Sequence, residues 1–308
     1  MVILIIQNSL NVLQAKLNFE DWDKAAYPQF ATTKVRNIAW NMIVRMPFFL
    51  FLPQPFNLQG LGRTGVIACL LGILLGIHFI LWTQLSLHIL NLVPISGQLV
   101  ALLGGPFRII LLWQWTAYAM AVCSFHFLEF FTTILYNPSA ASSDSFLVNH
   151  STSYSAATLS AMVEFSIRFF LFPRFNSFSL SVIGLAMTLL SQALRTSAMV
   201  TAGESFNHYI QTARKENHVL VTHGVYRYLR HPSYSGFYFW SISTQLLLGN
   251  YILFVAFAVV SWNFFKRRIA YEEESLCVLF PEDYSKYVAT SYIGIPFLWT
   301  KVKYEKQE

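Results

Sequence analysis

The residues best suited to chemistry lie in the polar stretch Thr201 to Tyr234 and just beyond the apolar segment that follows it. Arg230-His231-Pro232-Ser233-Tyr234-Ser235-Gly236 places a fixed cation, an imidazole and a phenol within seven residues. Proline biases the preceding His231 away from helix, and Gly236 permits a close backbone approach. Upstream runs His218-Val219-Leu220-Val221-Thr222-His223-Gly224-Val225-Tyr226; downstream come Arg268 and Glu272-Glu273-Glu274. A rigid loop, an extended segment, aromatics, one guanidinium and a carboxylate can bind and orient a charged reactant. No Ser-His-Asp set, metal-ligand spacing or glycine-rich dinucleotide fingerprint is visible. Cys69, Cys123 and Cys277 are far apart and read as free thiols.

The elements that position these residues are apolar. The chain is 55% hydrophobic and 12% charged, with mean hydropathy +0.47, whereas a soluble domain carries roughly a quarter charged residues. Backbone groups in lipid must be satisfied within the segment, so helices are expected; the alternation of a membrane barrel is not evident. The net charge of +6 is clustered in Arg214, Lys215, Arg227 and Arg230, and again in Lys266, Arg267 and Arg268. Such clusters beside spans predict cytosolic loops and suit anionic lipids or an anionic substrate; nucleic-acid binding is the poorer reading. Met1 to Ile6 is apolar but lacks a preceding basic region, so no cleaved signal peptide is expected.

Expected spans are Ile38 to Leu52, which carries Arg45 and Pro47, then Gly65 to Leu92, with His78 and His88 as packed or interfacial residues. Phe107 to Tyr136 follows, with His126 and Glu129 three apart as a structural polar pair. Tyr154 to Phe172 carries Glu164 and Arg168, spaced for a helix salt bridge, and Phe178 to Val200 has Arg195 near its end. Gly236 to Phe265 is broken by the turn signal Gly249-Asn250 into halves of about 12–16 residues, read as a helical hairpin, tilted or partly re-entrant. Lys266 to Glu274 is charged and helix-prone. The fold class is therefore all-α: a polytopic helical membrane protein with about six to eight transmembrane helices and a C-terminal helical hairpin. A hairpin returns residues 266–308 to the side of residues 201–234, and both are basic, so that side is the cytosol. Loop 137–153 falls on the same side, which makes the acceptor pattern Asn149-His150-Ser151 accidental.

Arg-His-Pro-x-Tyr-x-Gly, an apolar hairpin, then Arg268 ahead of Glu272-Glu273 resembles the isoprenylcysteine carboxyl methyltransferases of eukaryotic type. Thr201-Ala202-Gly203, Phe206-Asn207-His208, Leu220-Val221-Thr222, Asp144-Ser145-Phe146-Leu147 and Asn149-His150 match as well. The likeness covers about residues 115–297 and divides the chain into N-terminal membrane helices, 1–114, and a methyltransferase membrane domain, 115–308, with cytosolic cofactor-binding segments 201–234 and 266–308. The first 60 or so residues do not match clearly. Arg-His-Pro-x-Tyr-x-Gly alone is shared with membrane sterol reductases and other small membrane methyltransferases; the added Phe-Asn-His and Arg-x-x-x-Glu are much more selective. Sterol reductases approach the motif through tryptophan-rich sequence, but here it is Val225-Tyr226-Arg227-Tyr228-Leu229.

The resemblance implies methyl transfer from S-adenosylmethionine to the C-terminal carboxylate of S-prenylated cysteine in CaaX-processed proteins such as small GTPases. It also implies a multi-pass protein of the endoplasmic reticulum membrane, with its site facing the cytosol and the prenyl chain entering from the bilayer. Such a carboxylate is already ionised at neutral pH and needs no general base. By resemblance Arg268 pairs with the substrate carboxylate, for which a guanidinium is two-pronged, and Glu272 holds the cofactor's ammonium or ribose. Gln211, His218, Val219, Leu220, Val221, Tyr226, His231, Pro232, Ser233 and Tyr234 line the cofactor, with Tyr226 or Tyr234 facing the sulfonium and His231 as a hydrogen-bonding group. Arg195, Glu204 and Asn207 are further candidates near the carboxylate; the other reading of Arg195 is snorkelling at a span end. Two alternatives stand beside this: an NADPH-dependent sterol or fatty-chain reductase, and a non-enzymatic transporter or scaffold.

Overall fold

The structure is a computed structural model that describes residues 61–90, 105–148, 151–211 and 219–300. The expected span Ile38 to Leu52, the Asn149 acceptor pattern, Arg214, Lys215 and His218 lie outside the described residues. Among the described residues there are seven α-helices and no strand, apart from one isolated parallel bridge between Leu229 and Tyr292. They are α1 (Leu61–Ile89), α2 (Pro106–Tyr136), α3 (Thr152–Leu171), α4 (Phe178–Ala202), α5 (Pro232–Leu248), α6 (Tyr251–Leu279) and α7 (Pro281–Thr290). The described residues belong to one compact unit, Leu58–Glu308. The edge of the family likeness, near residue 115, falls inside α2.

Local sequence explains the helix ends. Pro106, Pro232 and Pro281 stand in the first turns of α2, α5 and α7, where a missing N–H costs nothing. Ser151 caps α3 by accepting from Tyr154 N at 3.1 Å. α5 ends on Gly249 at φ 71°, the left-handed cap that glycine adopts without a side-chain penalty. α1, α2 and α4 with the 3-10 turn that follows it provide stretches long and apolar enough to cross a membrane: Thr64–Ile89, Pro106–Tyr136 and Phe178–Ser205. Leu70, Ile73, Ile77 and Ile80 of α1, Leu189 and Leu190 of α4, and Ile252, Val255 and Val259 of α6 all face outward. Helices that are apolar on the outside need lipid around them. The observed hairpin differs from the expected halves because α5 begins four residues earlier, at Pro232, and α6 carries the charged run through to Leu279 without a break.

α4 and α5 pack antiparallel at very close range. Gly184 lies against the Leu247 backbone, the Thr188 hydroxyl donates to Ser243 at 2.9 Å, and Gly236 lies against the backbone of Arg195. Each step along α4 matches an equal step back along α5, so one register holds over the whole contact. A side chain at Gly236 would put its Cβ 2.8 Å from the Arg195 backbone nitrogen. Small residues are what allow membrane helices to approach this closely.

The hairpin turn is held from outside by α3. Glu164 and Arg168 do not form the helix salt bridge expected from their spacing. Glu164 instead accepts from the backbone N–H groups of Ile252, at 3.1 Å, and Leu253, at 2.9 Å, at the open N-terminus of α6. Arg168 donates to the carbonyls of Leu248, at 2.6 Å, and Phe175, at 3.0 Å. The acid thus meets the positive end of one helix and the base the negative end of the other, which satisfies orphan backbone groups that no water reaches in lipid.

His126 and Glu129, also expected to pair, share a buried face of α2 but take different partners. His126 reaches the Phe146 carbonyl at 2.7 Å and the Tyr154 hydroxyl at 3.0 Å; Glu129 turns to α4. Asn137, just past α2, donates to the carbonyls of Glu204 at 3.2 Å and Phe206 at 2.8 Å. Loop 137–148 and the stretch after α4 therefore share one end of the bundle, where α5 begins.

Candidate active site

Glu273 fixes the Arg-His-Pro segment. Its carboxylate accepts from Arg230 Nε at 2.5 Å, from His231 Nε2 at 3.2 Å and from the Thr300 hydroxyl. Arg230 also donates to the Ser291 carbonyl at 2.7 Å, and its backbone N–H to Tyr292 at 2.8 Å. His231 is non-helical, at φ −126° and ψ 55°, as a residue before proline should be. From Lys266 onward α6 is charged and lies beyond its apolar part. There Glu273 is 2% exposed. Burial opposes its ionisation, but the His231 bond and charge, with Thr300 and Arg230, outweigh burial and hold the carboxyl at about 2.

Around this anchor opens a cleft that is open to solvent on one side. The lining comes from residues within 202–211 and 219–234, from the end of α6 and from α7. Of the residues singled out in the sequence, Asn207, Gln211, Val219, Leu220, Val221, Tyr226, His231, Pro232, Ser233, Tyr234 and Glu272 line it. Glu204 does not: its side chain is exposed, and only its carbonyl is engaged, by Asn137. Arg268 stands next to the lining. Its Nε donates to the Tyr234 hydroxyl at 2.9 Å, a terminal nitrogen donates to the His208 carbonyl at 2.7 Å, and its guanidinium lies 5.3 Å from the Tyr234 ring centre. Tyr234 also stacks on His231, with ring centres 5.6 Å apart. With both neighbours on Tyr234, Tyr226 is the tyrosine better placed for a ligand cation.

The cleft also takes residues that sequence reasoning missed. Leu276, Phe280, Tyr284 and Tyr287 also line it, packed against Leu220 and Tyr226. The signal was present: Glu272, Leu276 and Phe280 are four apart, and Tyr284 and Tyr287 three apart, each a helix-face spacing. Tyr287 donates to the Tyr226 carbonyl at 2.6 Å. Burial pushes the hydroxyls of Tyr226, Tyr284 and Tyr287 well above the usual tyrosine value, and the nearby Glu272 charge adds to this at Tyr226. All three are neutral at physiological pH. Glu272 Oε2 is buried without a hydrogen-bond partner, 3.8 Å from His231 Nδ1. A buried carboxylate oxygen in that condition is costly and suits a cationic ligand group.

Behind Ser233 lies a buried ionic cluster. Glu129 (1% exposed) takes both prongs of Arg195, one of them at 2.8 Å, and accepts from His208 Nε2 at 2.8 Å. Arg195 also donates to the Ser233 carbonyl at 3.2 Å and hydroxyl at 3.0 Å. It is 6% exposed and so does not snorkel. It holds α2, α4 and the start of α5 together without itself lining the cleft.

The chain is similar to known proteins. The family model described as the isoprenylcysteine carboxyl methyltransferase (ICMT) family matches residues 183–278. The protein-S-isoprenylcysteine O-methyltransferase of Xenopus laevis is 45% identical over 188 residues, which cover 60% of this chain and 65% of that protein, just under two thirds of its length. The Saccharomyces cerevisiae protein of that name is 42% identical over 211 residues, with 66% of this chain and 88% of that one covered. The Arabidopsis thaliana form B is 41% identical, with 94% of its length covered. A solved structure of the eukaryotic intramembrane Ras methyltransferase ICMT superposes with a TM-score of 0.62 at 31% identity, over 76% of this chain and 98% of that one. With shared sequence through the Arg-His-Pro segment and the hairpin, and a shared helical arrangement around them, this chain belongs to the isoprenylcysteine carboxyl methyltransferase family.

Proposed function

We propose that the chain is a protein-S-isoprenylcysteine O-methyltransferase. It esterifies the C-terminal carboxylate of prenylated cysteine in CaaX-processed proteins, small GTPases among them, at the cytosolic face of the endoplasmic reticulum membrane. The observation that carries this reading is the cleft itself, lined by a buried Glu272 oxygen that lacks a hydrogen-bond donor and bordered by a guanidinium oriented by Tyr234 and His208.

When bound, S-adenosylmethionine supplies a methyl group made electrophilic by its sulfonium. The residues present fit that group: Glu272 has an open acceptor for its ammonium, and Leu220, Tyr226, Leu276 and Phe280 offer an apolar and aromatic wall. Gln211 and the segment Val219 to Val221 add amide and backbone polar groups to the lining. Tyr226 stays neutral, so its ring can face a cation without being a base. Arg268 pairs with the substrate carboxylate and aims one oxygen; the ionised carboxylate has no proton to lose. What the chain contributes is orientation and exclusion of water, which suffices when both reactants arrive activated. The prenyl chain carries about 0.8 kcal/mol of membrane affinity per buried CH₂, so the apolar outer faces of the bundle favour its arrival from the bilayer.

Purified chain in detergent with methyl-labelled S-adenosylmethionine and an S-farnesyl cysteine should yield base-labile label on the prenyl compound. Absence of transfer, or nicotinamide-dependent reduction of a sterol by the same preparation, would overturn the reading.

A further inference from the structure

Arg268 has a long, flexible side chain, and among the described residues the Tyr234 hydroxyl and the His208 carbonyl accept from it. Tyr234 is fixed by α5. His208 belongs to residues 206–211, which follow the 3-10 turn Gly203–Ser205 after α4 and have no helical or strand hydrogen bonding of their own. Two contacts hold its ring. Nε2 lies 2.8 Å from Glu129 Oε2, and the ring meets Phe206 edge-on, with centres 5.2 Å apart and planes at 87°. An ionised carboxylate only accepts, so the imidazole nitrogen must donate. Glu129 in turn is gripped by Arg195, which also bonds both oxygens of Ser233 in the cleft wall. The ring of His208 therefore connects the buried ion pair between α2 and α4 to the carbonyl that holds Arg268.

We infer that His208 is a positioning residue for carboxylate recognition: by donating to Glu129 it sets the carbonyl that orients Arg268. This deepens the proposed function and rests on its assignment of Arg268. His208 itself is absent from the cleft lining, so its effect on the substrate passes through Arg268.

The test measures steady-state methyl transfer to S-farnesyl cysteine and, separately, S-adenosylmethionine affinity by calorimetry. His208→Ala should raise KM for the prenyl substrate about tenfold, the loss expected for one charge-assisted bond, with cofactor affinity within about twofold of the parent. His208→Gln, whose amide nitrogen can donate from a similar position, should restore most of the substrate KM. If His208→Ala leaves substrate KM unchanged, or if cofactor affinity falls in step with it, the inference fails. A His208→Gln variant as impaired in substrate KM as His208→Ala would also sink it. Lack of methyl transfer by the parent chain is a different failure, that of the proposed function.

Discussion

Glu272 and Glu273 are adjacent in sequence, yet a helix turns about 100° between neighbours, and they do different work. Glu273 is inside, holding Arg230, His231 and Thr300; Glu272 faces the cleft. Family resemblance assigns a role to Glu272 and none to Glu273, because adjacency in a charged run does not reveal which carboxylate is buried. A consequence is a pH-dependent stability. Glu273 is held below its ordinary value of 4.5, so its contribution is complete above that value and is lost as pH falls toward about 2. Glu273→Gln should cost on the order of 2–3 kcal/mol near pH 7, and the gap in thermal midpoint from the parent should narrow as the pH is lowered to about 3. A gap independent of pH would contradict the ionic role. At the cleft, Arg268→Ala should slow methyl transfer about 10²–10³-fold with cofactor affinity largely kept. Glu272→Ala should weaken calorimetric S-adenosylmethionine affinity by about tenfold or more. Equal cofactor loss in both variants would show that the roles are wrongly divided.

Helix periodicity and turn residues made most elements legible. Phe178 to Val200 was expected and Phe178–Ala202 is observed; the Gly249-Asn250 turn falls where its dipeptide marks it. Partnership across elements was not legible. Glu164 and Arg168 have the spacing of a helix pair, but the neighbouring hairpin offers unsatisfied backbone groups that cannot be left open inside lipid, and these win. Nor can spacing show that Gly236 stands against Arg195 while Gly72 meets nothing within 4 Å. The two glycines should therefore respond oppositely. Gly236→Ala should destabilise by about 1–3 kcal/mol through overpacking, whereas Gly72→Ala should be neutral or stabilise by up to about 1 kcal/mol through helix propensity. Thermal unfolding in one detergent compares them. A harmless Gly236→Ala would mean that α4 and α5 do not approach as closely as the structure has them.

Seen whole, the molecule works by bringing together chain segments that an apolar hairpin separates. Asn137 ties the end of α2 to the stretch after α4, Arg195 ties α4 to α5, and Glu273 ties the Arg-His-Pro segment to the far part of α6. All of these meet at the end of the bundle opposite the turn that Glu164 and Arg168 hold. Basic clusters and the parity of a hairpin pointed to this convergence in the sequence. They could not supply the α7 wall, because Tyr284 and Tyr287 lie in a short polar helix with no span to mark it. Single cysteines at exposed His223 and Lys286, introduced into a chain lacking its native thiols, and at exposed Phe175 near the turn, can be labelled in sealed microsomes with a membrane-impermeant maleimide. Positions 223 and 286 should label from the cytosolic side and position 175 only after the membrane is opened. If 223 and 286 label from opposite sides, the two walls of the cleft cannot meet in the membrane and no single site exists.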